Sequence, residues 1–334
     1  MELSELEPKL VVFGRAMYDD PHAEVRGVHK MPGHAGFSYG FTVESRGTTE
    51  SWYLRLPPPN VRWVGTADVL RQVAVLNALD GTAVPHCSVR WSGDDLRWFG
   101  CPYFVVPKLE GRTMAFIDNP WLADLDREAR WSMGRQAMTA LAELHRVDWR
   151  QAPYLGDPIP LDDDVTRWDR FMPKVAEPER LRAAPEVRQL LLARLPAKTH
   201  VGIFHGDFQW SNLFYSSEGK LLAVIDWELV GVGATLNDVG WIATFNDAGA
   251  WSAERKPSTL MPHADELVAM YVEAWGSPVE HLDWFRALAA YKFAIISGFN
   301  LALHRRGKRE DPVWETTALS IEPLLERARQ LLQI

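Results

Sequence analysis

The sequence predicts an α+β protein of two lobes: a small lobe built on an antiparallel sheet over 1–107, and a larger, mainly helical lobe over 108–334. Three observations carry this expectation. Up to residue 107 the chain reads as five short β-like runs separated by turn residues, with one helix-period stretch among them. From residue 122 onward helical periodicity dominates. A length of 334 residues exceeds one ordinary domain, and a hydrophobic content of 47% supplies a sizeable core.

In the first lobe, residues 23–30 alternate loosely and make the first run. Gly33-His34-Ala35-Gly36-Phe37-Ser38-Tyr39-Gly40 is a glycine-spaced turn before the second run, 41–44. Backbone amides around Gly36, Phe37 and Ser38 can approach phosphate oxygens because glycine has no Cβ, although an ordinary hairpin connection uses the same spacing. A third run, 51–56, carries Arg55 just before Pro57-Pro58-Pro59. Residues 66–79 read as a helix with Thr66 as N-cap and Val69, Val73, Leu76 and Leu79 on one stripe. Runs over 86–91 and 96–106 flank the turn Ser92-Gly93-Asp94-Asp95.

In the second lobe, 122–147 is a helix, 153–160 a proline-broken loop, and 166–171 and 177–195 two further helices. Residues 200–204 form a short strand that feeds His205-Gly206-Asp207-Phe208-Gln209-Trp210-Ser211-Asn212. An apolar run over 221–225 then leads into Asp226-Trp227-Glu228. The remainder is helical, over 264–275, 281–306 and 314–332. The apolar region 285–303 is interrupted by Arg286 and Lys292, which makes it a core helix and not a membrane span. Asp162-Asp163-Asp164-Val165-Thr166 matches a phosphatase-type Asp-x-Asp-x-Thr pattern, but the prolines at 158 and 160 argue against a buried strand before it. The acidic run is expected to be a solvated loop entering a helix.

Asp207, Asn212 and Asp226 have the chemistry and spacing of a phosphoryl-transfer centre. Asn212 lies five residues after Asp207, and Asp226 ends an apolar strand nineteen after it. In such centres an Asp orients the attacking hydroxyl and accepts its proton, while the Asn and the second Asp hold magnesium. Magnesium takes hard oxygen ligands and keeps several waters, so one amide and one carboxylate are a sensible protein contribution. The plainer reading, a tight turn shaped by Gly206 and Asn212, does not account for the strand ending in Ile225-Asp226.

His205-Gly206-Asp207 with Ile225-Asp226-Trp227-Glu228 downstream resembles the aminoglycoside phosphotransferase and choline kinase-like family. Arg55 before the prolines is similar to the branch of kinase-like domains fused to acyl-CoA dehydrogenases. The resemblance implies a bilobal protein-kinase-like fold and transfer of the γ-phosphoryl of ATP or GTP, with Mg2+, to a hydroxyl of a small molecule. It makes Asp207 the catalytic base, Asn212 and Asp226 the metal ligands, and Tyr103 to Gly111 the hinge, with Val105 and Pro107 beside the adenine. The kinase plan presents a Lys from the third strand to the phosphates; no Lys occurs between Lys30 and Lys108, so Arg55 takes that place. The helix that normally offers this cation a Glu has Gln72 there, with Asp68 one turn earlier as a substitute. His205 is expected to pack locally and support Asp226, and Glu228, which resembles the family's trailing acid, to support the metal shell. His145 is expected to be a packed helix residue, and Asp238, in Asn237-Asp238-Val239-Gly240-Trp241, to cap a helix or brace the catalytic loop. Trp168, Trp210, Trp227, Trp241, Phe245 and Trp251 are expected to be mostly core.

A formal charge of −8 argues against a nucleic-acid partner. Cys87 and Cys101, read as lying in neighbouring strands, make neither a disulfide framework nor a metal pattern. The N-terminus lacks signal-peptide character, so a cytoplasmic protein, monomer or homodimer, without a membrane partner is expected. The acceptor is either a hydroxylated acyl metabolite or an aminoglycoside. The competing reading is a nucleotide-binding pseudokinase, prompted by Arg55 and Gln72.

Overall fold

The computed structural model describes residues 1–31, 37–115 and 119–333, and the chain divides into two compact units. The first comprises Met1–Glu110, Arg150–Leu155 and Ile225–Val230; the second comprises Gly111–Trp149, Gly156–Val224 and Gly231–Ile334. The two short segments 150–155 and 225–230 thus pack with the first unit, beyond the single boundary at 107 that the sequence suggests. The first half of the glycine-spaced turn, 33–36 and so Gly36, lies outside the described residues.

The first unit runs α1 (Leu3–Met17), β1 (Glu24–Lys30), β2 (Ser38–Ser45), β3 (Thr48–Arg55), α2 (Val69–Leu79), β4 (Trp91–Gly93), α3 (Leu96–Phe99) and β5 (Tyr103–Pro107). Its strands form an antiparallel sheet in the order β1-β2-β3-β5-β4. Alternate side chains of β2 and β3, Tyr39, Phe41, Val43, Trp52 and Leu54, share a core with Leu6, Leu10 and Phe13 of α1. Spacing of four and three residues puts that trio on one helical face, a signal weakened by Pro8 inside the helix.

Several local expectations for this unit change. The 86–91 run is irregular until β4, which covers the start of the expected turn, and 96–99 is helical. Asp95 caps α3 by accepting from the Arg97 amide at 3.0 Å, and Gly100 ends it with φ 76°. The rings of Trp98, Phe99 and Tyr103 pack on Phe13, so tertiary contact overrides the β-like pattern. The N-cap of α2 is Asp68, which accepts from the Leu70 amide at 3.0 Å, and not Thr66. Cys87 and Cys101 are free, half-buried thiols outside any strand, and burial pushes Cys87 up to about 11.

The second unit contains α4 (Arg127–Arg146), α5 (Leu161–Thr166), α6 (Ala184–Ala193), β6 (Val201–Phe204), β7 (Leu213–Tyr215), β8 (Leu221–Val224), β9 (Gly231–Ala234), α7 (Leu236–Phe245), α8 (Ala264–Trp275), α9 (Leu282–Arg305), α10 (Val313–Thr317) and α11 (Ile321–Gln333). Two small sheets, β6 with β9 and β7 with β8, present the functional loop to a helical core. Among the described residues α9 is the one helix long and apolar enough to cross a membrane by length and composition. It packs against α7 and α11 and is mostly buried, as expected of a core helix. Gly240 lets α7 approach α9 closely, because a Cβ there would run into the Phe285 carbonyl.

The acidic run is not solvated throughout. Asp162, Asp163 and Asp164 all lie in α5, and Asp164 is buried. Its carboxylate meets Lys292 of α9 at 3.2 Å, Arg167 at 2.6 Å and the Asn237 amide at 2.8 Å. Burial alone would raise the Asp164 carboxyl, but Lys292 and Arg167 outweigh it and hold it below the usual carboxylate range. A buried charge left alone is far costlier than the pair removed together. Because Arg167 stays on Asp164, Lys292→Met is expected to lose about 3 kcal/mol in urea denaturation, the low end for a broken buried pair, and Lys292→Met with Asp164→Leu to recover most of that loss, since the half-exposed Arg167 can turn to water.

Candidate active site

The chain leaves β6 at Phe204 and enters the loop 205–212. Gly206 has φ 86°, a left-handed conformation that a side chain would strain, which is why glycine suits this place. Asp238, in the first turn of α7, fixes the loop entrance. Its carboxylate accepts from the His205 amide at 2.7 Å and the Gly206 amide at 2.8 Å. Behind it, His145 Nε2 of α4 lies 3.3 Å from Asp238 Oδ2, and His145 Nδ1 lies 2.8 Å from the Tyr271 hydroxyl of α8. With its proton on Nε2, the imidazole donates to Asp238 and accepts from Tyr271. Both His145 and Asp238 are fully buried, so they act as a brace and are out of reach of a substrate.

Within the loop, His205 is buried, and its Nδ1 accepts from the Asp207 amide at 3.2 Å. The Asp207 carboxylate is tightly oriented. Oδ1 accepts from Gln209 Nε2 at 2.7 Å and from the indole N–H of Trp241 at 2.8 Å, and Oδ2 accepts from Asn212 Nδ2 at 2.9 Å. Bonds of this kind fix the lone pairs of the carboxylate. Asn212 Nδ2 also donates to the Asp207 carbonyl at 2.9 Å, which turns the amide oxygen of Asn212 away from Asp207. Trp241 is held by edge contacts with Phe293 and a tilted contact with Phe245. From the sequence, Trp241 reads as one of several mostly core aromatics and Gln209 carries no role. Nothing local marks a bond that spans thirty-four residues.

Asp226, Glu228, Arg55, Ser38, Phe37, Gln72, Val105 and Pro107 belong to the first unit. Asp226 adopts φ 62°, ψ 61° and opens a single turn of 3-10 helix, Trp227–Leu229. A non-glycine residue in that region is uncommon, and it carries the acid of interest. Arg55 is 7% exposed; its Nη2 contacts Glu228 Oε2 at 2.8 Å and its Nη1 donates to Ser38 Oγ at 3.1 Å. Burial works against the Arg55 charge, but Tyr53, Asp226 and Glu228 outweigh it and raise its pKa. Gln72 is buried with its amide nitrogen unpartnered, and as a neutral amide it brings no charge to Arg55. Asp68 is no substitute, since it caps α2 and accepts from Tyr154 at 3.0 Å. Glu228, expected to support the metal shell, makes an ion pair with Arg55 at 2.8 Å. Phe37 accepts from the Leu56 amide at 3.0 Å, Val105 sits inside the sheet with its carbonyl accepting from Arg90 at 2.8 Å, and Pro107 ends β5.

No group of three or more His, Cys, Asp or Glu side chains able to hold a metal occurs among the described residues. A magnesium ion that arrives on a nucleotide needs fewer protein ligands than a closed cage. The hard oxygens of Asn212 and Asp226 fit that demand in kind, and the amide orientation of Asn212 keeps its oxygen for such a use.

A five-stranded antiparallel sheet in one unit, and a mainly helical second unit whose Asp-x4-Asn loop precedes a hairpin, define the protein-kinase-like class of small-molecule phosphotransferases. Residues 34–288 match the phosphotransferase enzyme family, APH, and the chain belongs to that family. It is 26% identical over 297 residues to acyl-CoA dehydrogenase family member 11 of Gallus gallus, covering 84% of this chain and 38% of that protein. It is also 26% identical over 258 residues to family member 10 of Mus musculus, covering 73% of this chain and 24% of that one. The chain thus spans well under half the length of these relatives. In structure it is similar to an aminoglycoside phosphotransferase-type protein of Ralstonia eutropha JMP134, with a TM-score of 0.79, 19% identity and 98% of both chains covered. Choline kinase LicA of Streptococcus pneumoniae follows with a TM-score of 0.59, 12% identity, and 98% and 99% coverage. A ternary complex of aminoglycoside phosphotransferase APH(4)-Ia with ADP and hygromycin B has a TM-score of 0.59 at 15% identity, covering 97% of this chain and 98% of that one. These likenesses bear out the family resemblance and the fold read from the sequence.

Replacing Asp238 by Ala leaves two buried amides without an acceptor, at about 1–3 kcal/mol each. Asp238→Ala is expected to lose about 2–6 kcal/mol of stability, with hydrogen exchange at the amides of 205 and 206 accelerating first.

Proposed function

We propose that this chain transfers the γ-phosphoryl group of ATP or GTP to a hydroxyl of a small molecule, with Mg2+ bound through the nucleotide. The observation that carries this reading is the Asp207 carboxylate, held by Gln209, Trp241 and Asn212 on a loop anchored by Asp238. Asp207 orients the acceptor hydroxyl and takes its proton as the oxygen attacks the γ-phosphorus. Asn212 and Asp226 would hold the metal, whose charge neutralises the phosphate oxygens. Arg55 binds the α and β phosphates, and Phe37, Ser38 and the segment around Val105 and Pro107 complete nucleotide binding. Little covalent help is needed for so loose a transition state, and the protein contributes chiefly position and charge.

The acceptor we favour is a hydroxylated acyl compound. Its support is the similarity to two proteins named as acyl-CoA dehydrogenases, together with Arg55 before Pro57-Pro58-Pro59. An aminoglycoside is the second acceptor class, supported by the similarity of fold to APH(4)-Ia. The pseudokinase alternative rests on Arg55 in place of a Lys and on Gln72 at the helix position; against it, Glu228 gives Arg55 a carboxylate partner from the turn after Asp226.

Mg2+-dependent nucleotide consumption across hydroxyacyl compounds, aminoglycosides, amino alcohols and sugars tests the reading. Asp207→Asn is expected to lower acceptor-stimulated turnover by about 10²–10⁴-fold while nucleotide affinity is retained. Undiminished turnover in that variant overturns the assignment of the base, and tight nucleotide binding with no acceptor turnover favours the pseudokinase. Trp241→Phe keeps the ring packing and removes one charge-assisted donor, so kcat is expected to fall about tenfold or more, with the nucleotide KM unchanged.

A further inference from the structure

We propose that Glu228 is the positioning residue for Arg55, carrying out from the turn after Asp226 the task that related kinases give to a helix carboxylate. This rests on the reading of Arg55 as the cation for the α and β phosphates.

An arginine as buried as Arg55 needs a charged partner in a fixed place, since its desolvation is otherwise unbalanced. On α2 the candidate carboxylates are missing or engaged. Gln72 is neutral and its amide nitrogen has no partner, and Asp68 serves as N-cap and accepts from Tyr154. The carboxylate that reaches the guanidinium, at 2.8 Å, belongs to Glu228. Ser38 Oγ accepts from the other terminal nitrogen at 3.1 Å. Arg55 is thereby gripped at both Nη atoms, from β2 and from the turn, and the planar guanidinium has one orientation available.

The turn is itself fixed by α2. Arg71, next to Gln72, donates to the Val230 carbonyl at 3.0 Å and to the Leu155 carbonyl at 3.2 Å. Within the turn, the Val230 amide donates to the Trp227 carbonyl at 3.2 Å. The helix therefore acts on Arg55 through one intermediate: Arg71 sets the turn, and Glu228 on the turn sets Arg55. Asp226 stands at the head of the same turn, two residues before Glu228. A displacement of this segment moves the phosphate cation and the proposed metal acid together. Other kinases of this plan set the two through separate elements.

The alternative for Glu228 is support of the metal. Calorimetric binding of ADP separates the two, with EDTA present or with excess Mg2+, for wild type, Glu228→Gln, Arg55→Gln and the double variant. If Glu228 positions Arg55, Glu228→Gln weakens ADP binding about tenfold in both conditions. In the Arg55→Gln background the same change then has almost no further effect. Glu228→Asp, with its carboxylate one methylene short, falls between wild type and Glu228→Gln; with Arg55→Lys it gives the same cycle should the Gln variants fail to fold. Unchanged metal-free affinity with a raised Mg2+ requirement assigns Glu228 to the metal and overturns the proposal. Independent, multiplying losses from the two substitutions overturn it as well, reducing Glu228 to a structural residue. A wild-type protein that binds no ADP in either condition overturns the kinase reading itself, a result distinct from the other two.

Discussion

The carboxylate of Asp238, buried under α7 with the amides of His205 and Gly206 on it, is the interaction on which the loop 205–212 depends. Those amides fall outside any strand or helix, and a buried N–H must find an acceptor. Asp238 provides two at once and ties the loop to the helical core, where His145 and Tyr271 hold it from behind. Gly206 can then take its left-handed conformation and deliver Asp207 beside Trp241 and Gln209. Three donors thereby fix the orientation of the Asp207 carboxylate.

The first unit solves a related problem for positive charge. Arg55 sits at the end of β3, where a guanidinium under the sheet cannot be left to water. Glu228 and Ser38 hold it, and the field of Asp226 adds to theirs. The helix α2 contributes through Arg71 and the backbone of the turn. Gln72, at the place where a carboxylate was expected, lies buried and carries no charge to the site. The same logic recurs in the second unit at Asp164 and Lys292, where an apparently solvated acidic run supplies one buried acid to a core helix.

Legibility in the sequence followed the range of the interaction. Asp207, Asn212 and Asp226 stand out as candidates because their spacing is set locally by one loop and one hairpin, and β2, β3 and the long helices are legible because apolar periodicity reports a buried face. The helix α1 was missed because Pro8 obscures the stripe Leu6, Leu10 and Phe13, and α3 because its aromatic run looks like a strand until Phe13 packs on it. The roles of Trp241, Gln209 and Arg71 left no local trace. A hydrogen-bond partner brought in by folding has no fixed offset in the chain.

By itself, then, the sequence determined the fold class and the family, and it marked Asp207, Asn212 and Asp226 as candidates, since each depends on spacing and polarity within a short stretch. Only the tertiary structure decided which charges are paired: Glu228 and not Gln72 on Arg55, Lys292 on Asp164, Asp238 on the backbone of the loop 205–212. Pairing a buried charge is a matter of distance and desolvation. Both quantities exist only once the chain has closed on itself.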